Sequence, residues 1–255
     1  METSALQNIY DQLTKGLKKY FKKAGAYRAV VGASGGVDSS LTLKLAVDAL
    51  GAENVTAISM PELGVSLQEN IDHAKALCHA LNVTFFYQPL NQFLTDFYHL
   101  PWDGNKLATQ NTKARLRAVL LYNYANTTNA LVLGTSNKSE TLLGYGTKYG
   151  DLAADLEVIG DLYKDEVFAL ADFVGLPREI IEKPPTAELY QGQTDEGELG
   201  ASYSQIDPIL KRMKLGADQL IERGMNPTLV HSILSRIEKN KHKSEMPPVL
   251  KIKKE

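Results

Sequence analysis

The chain of 255 residues carries one cysteine and a formal net charge of −2, which excludes an intrachain disulfide, a multi-cysteine metal centre and a globally basic surface for nucleic acid. With 44% hydrophobic and 23% charged residues it has the composition of a globular protein, long enough for one α/β domain with a full core or for two small ones. Neither a signal peptide nor an apolar run long enough to cross a bilayer is visible, so the expectation is a cytoplasmic protein with no membrane and no nucleic-acid partner.

In chain order, Leu6, Ile9, Tyr10, Leu13, Leu17, Tyr20 and Phe21 trace an apolar stripe at helical spacing, predicting a helix over 4–23 with Gly25 near its end. "YRAVVGA" is a short β-branched strand, and "SSLTLKLAVDALG" a helix closed by Gly51. "NVTAISM" is a second strand stopped by Pro61. "SLQENIDHAKALCHALN" is a serine-capped helix with Ile71, Ala74, Leu77, Cys78 and Leu81 facing inward and His73 and His79 on its surface. "VTFFYQPL" is a third strand, and Trp102 in "LPWDG" is expected to anchor the loop after it. The long helix "LATQNTKARLRAVLLYNYA" leads to a fourth strand, "ALVLGT". Strands alternating with helices predict a doubly wound parallel sheet with right-handed crossovers, and wholly apolar strands fit a sheet covered on both faces.

Beyond residue 135 glycine and polar residues dominate, and "EKPPTAELYQGQTDEGELG" has no periodicity; loops this long are usually functional or disordered. Helices near 202–214 and 227–239 predict a small cap. The tail from 241 to 255 is strongly basic, which composition alone reads as a solvated segment. The organisation is thus one domain over 1–255: an N-terminal helix at 4–23, a nucleotide-binding core at 27–182, a loop and helical cap at 183–240, and the tail.

The stretch "VVGASGGVDSSLTLKLA" sits where a strand ends and a helix opens, the place where open α/β sheets bind ligands. Gly35 and Gly36 let the backbone approach an anion, and the helix N-terminus favours phosphate. A serine–glycine turn with Ser34 or Asp38 as an ordinary cap is the competing reading. The lysine of a Walker loop, which serves γ-phosphoryl transfer, is missing. A carboxylate, Asp38, stands there instead, and beside phosphate oxygens it needs a cation between, Mg2+ being the natural one. On positions 115 and 117 of one helix the side chains point roughly 200° apart, so Arg115 and Arg117 serve different ligands; Asn111 is one turn from Arg115 on its face.

The "SGGxDS" loop resembles that of the N-type ATP pyrophosphatases, whose loop cradles the leaving pyrophosphate while a substrate oxygen attacks the α-phosphorus. This implies adenylation and an adenine-nucleotide α-hydrolase-like sheet with a C-terminal helical cap. The loop does not choose among the synthetases and tRNA-modifying enzymes of that group. "TKYGD", a spaced aspartate, "GDLYK", "KPPTAEL" and "QTDEGELG" before "SY", in that order, resemble the ammonia-dependent NAD synthetases, and the likeness runs from residue 32 to the end of the chain. A different adenylating enzyme remains a rival, opposed by the "TKYGD" segment, as does a non-catalytic nucleotide sensor, opposed by retention of two carboxylates, Asp38 and Glu140.

The resemblance implies the following roles. Gly32, Ala33, Ser34, Gly35, Gly36, Val37, Asp38 and Ser39 hold ATP together with Thr135, Lys164 and Thr186. Asp38 and Glu140 bind Mg2+. Arg115, Lys148, Asp155, His242 and Lys243 bind deamido-NAD. No side chain is assigned a covalent role, and ammonia is the nitrogen donor. A homodimer with the dinucleotide at its interface is implied too. Ala118 and Ser244 depart from the family pattern, which has methionine and arginine there; "MPPV" fits it again.

Overall fold

The computed structural model describes residues 1–190 and 192–252. The four strands expected from short apolar runs all form: β1 (Arg28–Gly32), β2 (Val55–Ser59), β3 (Thr84–Tyr87) and β4 (Ala130–Gly134). They lie parallel with a fifth, β5 (Leu156–Glu157), in the order β3-β2-β1-β4-β5. A two-residue strand has no alternation to betray it, which is why the sequence does not show β5. The chain crosses from β1 to one side for β2 and β3 and to the other for β4 and β5. The resulting switch point lies between β1 and β4, above their carboxyl ends.

Alternate residues of the central strands face two cores. On one face, Ala29 and Val31 pack with α1 (Thr3–Ala24), α2 (Val37–Leu50), α3 (Gln68–Ala80) and α7 (Lys164–Phe173), and α8 (Arg178–Ile181) contributes Ile180. On the other, Val30, Ile58 and Val132 meet α5 (Lys106–Thr128) and Leu94 of α4 (Asn91–Leu94). A third cluster forms the cap, from α6 (Lys138–Leu143), α9 (Asp195–Leu199), α10 (Tyr203–Leu210), α11 (Ala217–Glu222) and α12 (Pro227–Asn240). Among the described residues no helix is long and apolar enough to cross a membrane.

Three local expectations are corrected. Ser66 does not cap α3; Leu67 holds that position, and the Ser66 hydroxyl accepts the Glu62 N–H at 3.1 Å. Trp102 is 65% exposed rather than buried under its loop. His73 is largely covered, its Nε2 3.8 Å from a Glu69 carboxylate oxygen, while His79 is exposed as expected.

Candidate active site

The glycine loop leaves β1 and opens α2. Gly35 has φ +79, and a Cβ there would collide with the Asn70 backbone, so only glycine lets the loop close against α3. The loop braces itself: Ser34 Oγ lies 3.0 Å from Ser39 Oγ, and Ser39 Oγ–H donates to Gly36 O at 3.1 Å. Asp38 stands in the first turn of α2.

A second element meets it from β4. In "SNKSE", Asn137 caps α6 and Glu140 returns the bond, an N-x-x-E capping box. Asn137 Oδ1 accepts the Glu140 N–H at 3.0 Å, and Glu140 Oε2 accepts the Asn137 N–H at 3.4 Å. The Asn137 amide, fully buried, also donates to Asp38 Oδ1 at 2.8 Å. Each carboxylate therefore has one oxygen engaged by Asn137 and presents the other to a common point. Lys164 Nζ occupies that point, 2.6 Å from Asp38 Oδ2 and 3.0 Å from Glu140 Oε1.

Lys164 opens α7 with its side chain only 1% exposed, so a solvent-facing lysine is ruled out. Burial alone would pull its ammonium down, but Asp38 and Glu140 outweigh that and hold it above the ordinary lysine range. Burial pushes the Glu140 carboxyl up, against the restraining charge of Lys164. Behind them, Tyr145 and Tyr203 donate to the two oxygens of Asp195, at 3.1 and 3.2 Å, and burial raises that carboxyl as well.

These groups line one cavity at the switch point. Gly32, Ala33, Ser34, Gly36, Val37, Asp38, Ser39, Thr135, Glu140, Lys164 and Thr186 all border it, whereas Gly35 does not. The loop carrying Thr186 is fastened on two sides. The buried pair Lys113–Glu62, 2.5 Å apart, also reaches Leu189 O at 3.0 Å, and the Asn70 amide donates to Glu188. Arg117 lines the cavity with its Nε–H on Met60 O at 3.0 Å, whereas Arg115 does not border it.

None of the five residues expected at deamido-NAD borders this cavity. Four are linked elsewhere. Arg115 Nε–H donates to Lys148 O at 3.3 Å, and Lys148 Nζ to His242 O and Glu245 O at 2.5 and 3.0 Å. Lys243 Nζ donates to Gly144 O and Gly146 O at 2.8 and 3.0 Å. The basic tail is thus docked on the 144–148 loop through His242, Lys243 and Glu245, while residues 253–255 lie outside the described residues. Asp155 is tied to β4 instead, accepting the Val132 N–H at 2.8 Å. Asn111, one turn from Arg115, accepts the Thr147 hydroxyl at 2.8 Å.

The NAD synthase family profile matches residues 9–247. The NH(3)-dependent NAD(+) synthetases of Wolinella succinogenes and Archaeoglobus fulgidus are 44% and 40% identical, over 96% and 97% of this chain and 96% and 98% of their own. The solved NH3-dependent NAD synthetase of Campylobacter jejuni superposes with a TM-score of 0.84 at 35% identity, covering 98% of this chain and 100% of that one. An NMN synthetase from Francisella tularensis superposes at 0.85 with 29% identity over 97% and 99%.

Proposed function

The chain belongs to the NAD synthase family, and we propose a division of its residues between an ATP cavity and a separate dinucleotide surface. The enzyme is a ligase that uses ATP and ammonia to convert deamido-NAD to NAD. A carboxylate oxygen of deamido-NAD attacks the α-phosphorus of ATP and pyrophosphate leaves. Ammonia then attacks the adenylated carbonyl carbon, loses a proton and expels AMP. We place the reaction in the cytoplasm.

The glycine loop holds the pyrophosphate, with Thr135 and Thr186 beside it. Asp38 and Glu140 hold Mg2+, whose charge would neutralise the phosphate oxygens. The observation that supports this most directly is that both carboxylates offer a free oxygen to one cation, Lys164 Nζ. Two carboxylates are a hard oxygen donor set that would suit Mg2+. With ATP bound, Lys164 is a point charge for the phosphates, the charge that the loop itself lacks. The protein's own share is positioning and fixed electrostatics.

Arg115, Lys148, Asp155, His242 and Lys243 serve deamido-NAD at the interface of a homodimer. Support comes from α5, where Leu107 and Val119 are exposed on the face of Arg115. Sedimentation of the purified chain checks the dimer. End-point analysis with ATP, Mg2+, ammonium and either deamido-NAD or nicotinate mononucleotide checks the chemistry. NAD, AMP and pyrophosphate in equal amounts are expected, with deamido-NAD preferred. ADP and phosphate as stoichiometric products would overturn the adenylation reading.

A further inference from the structure

Helix α7 begins at Lys164 after Tyr163, whose phenol makes no cap bond to the first turn, although Glu166 Oε2 accepts the Tyr163 N–H at 2.9 Å. The first N–H groups of any α-helix lack partners within it. Here two find them on other elements. The Lys164 N–H donates to Ser139 Oγ at 3.0 Å, and the Asp165 N–H donates to Asp207 Oδ2 at 2.9 Å. The Ser139 hydroxyl donates in turn to Asp207 Oδ1 at 2.5 Å. Asp207, Ser139 and Lys164 are all buried.

The chemistry of the relay is specific. An ionised carboxylate only accepts, so it takes both donors at once. Its demand fixes the direction of the Ser139 hydroxyl, which leaves a lone pair for the Lys164 N–H. A carboxylate at this end of α7 is also favoured by the helix dipole. Asp207 lies on α10 in the cap, and Ser139 lies on α6 directly before Glu140. One buried group on α10 therefore ties together α6 and α7, the elements that carry Glu140 and Lys164 into the cavity.

We propose that Asp207 is a positioning residue for Lys164, fixing the first turn of α7 through Ser139 and the Asp165 amide so that the ammonium reaches Asp38, Glu140 and the phosphates. This rests on the phosphate-binding role given to Lys164 above. Asp207→Asn keeps the shape but supplies one acceptor and an NH2 to two donors, so the turn loses a bond and the lysine its exact origin. A purely structural Asp207 would lower stability and nothing else.

The test is a double-mutant cycle on Asp207→Asn and Lys164→Met, with kcat at saturating substrates, ATP affinity by calorimetry and melting temperature for all four proteins. A misplacement of about 1 Å lowers kcat on the order of a hundredfold when Lys164 is present. In the Lys164→Met background, Asp207→Asn is expected to change neither kcat nor ATP affinity further, while lowering the melting temperature in both backgrounds. Equal factors in the two backgrounds, or a parental kcat for Asp207→Asn, would overturn the proposal. Parental kcat for Lys164→Met would instead remove the role of Lys164, and the proposal with it. Should Asp207→Asn fail to fold, Ser139→Ala enters the same cycle, since it removes the acceptor of the Lys164 N–H.

Discussion

The side-chain amide of Asn137 donates to Asp38 across 99 residues of sequence, at 2.8 Å. The same residue caps α6 and thereby places Glu140. Two carboxylates from different strand ends are held by one buried amide, and this sets the spacing at which they face a single cation. Such an arrangement gathers charge that would repel in isolation, and Lys164 offsets it.

Asp38→Asn and Glu140→Gln each preserve shape while replacing a charged carboxylate with a neutral amide that keeps one oxygen. Asp38→Asn also turns an NH2 toward either Asn137 or Lys164, both donors at that site. Activity is expected to fall on the order of a hundredfold or more in each variant, with far-UV circular dichroism unchanged. Titration with Mn2+ in the presence of ATP, followed by the paramagnetic signal of free metal, should show weakened binding. Parental rates at saturating Mg2+ in either variant would show that the metal belongs elsewhere.

Most of this site was legible because its parts are short and ordered in sequence. The strand, glycine loop and helix around Asp38 announce themselves by pattern, and the spacing in "SNKSE" carried a capping-box signal that the helix and strand periods do not use. What was not legible is tertiary. The distance between Asn137 and Asp38 depends on β1 and β4 being neighbours. The burial of Lys164 depends on the cap. Arg115 and Arg117 were separable by helical geometry, but which of them borders the cavity depends on how α5 sits on the sheet.

Glu157, at the sheet edge, gives a pH-dependent stability. Burial, opposed by the Ser136 N–H and reinforced by Asp151, pushes its carboxyl from 4.5 up to about 7. The folded protein therefore holds this proton more tightly than the unfolded chain. Its contribution is fully present below pH 4.5, declines as pH rises toward 7 and is gone above. Glu157→Gln mimics the protonated form and retains an acceptor for Ser136. The variant should exceed the parent in stability at pH 8 by at most about 3 kcal/mol, less what water screens at the partly open site. Urea denaturation at pH 5 and 8 measures this; a gap that does not change between them contradicts the assignment.

His242→Ala combined with Lys243→Ala tests the dinucleotide surface. Lys243 Nζ donates to two carbonyls of the 144–146 turn and is removed by the substitution, whereas the His242 main-chain carbonyl that receives Lys148 stays and only the imidazole is lost. Loss of charge-assisted bonds there should raise KM for deamido-NAD about tenfold or more. KM for ATP, whose cavity these residues do not border, should move little. Equal changes in both constants would return the tail to a structural role.

The nitrogen donor should be free ammonia, with glutamine inactive. Glutamine hydrolysis requires a nucleophile and a base within hydrogen-bond reach. The chain has one cysteine, Cys78, which lies on the apolar side of α3 at 0% exposure. Burial pushes its thiol up to about 12, so the thiolate is scarce at neutral pH. His79, next in sequence, points roughly 100° away around the helix and is exposed, so it does not serve as base. The attacking species must carry a lone pair, which ammonium lacks. At fixed total ammonium below saturation, the rate should therefore rise with pH as the neutral fraction grows, until another group intervenes. Parallel assays with ammonium chloride and with ammonia-free glutamine, from neutral to mildly alkaline pH, read both expectations. NAD formed from glutamine at a comparable rate, and abolished by Cys78→Ser, would mean that α3 opens to expose a thiol which the packing of Ala74, Leu77 and Cys78 against the sheet now closes off.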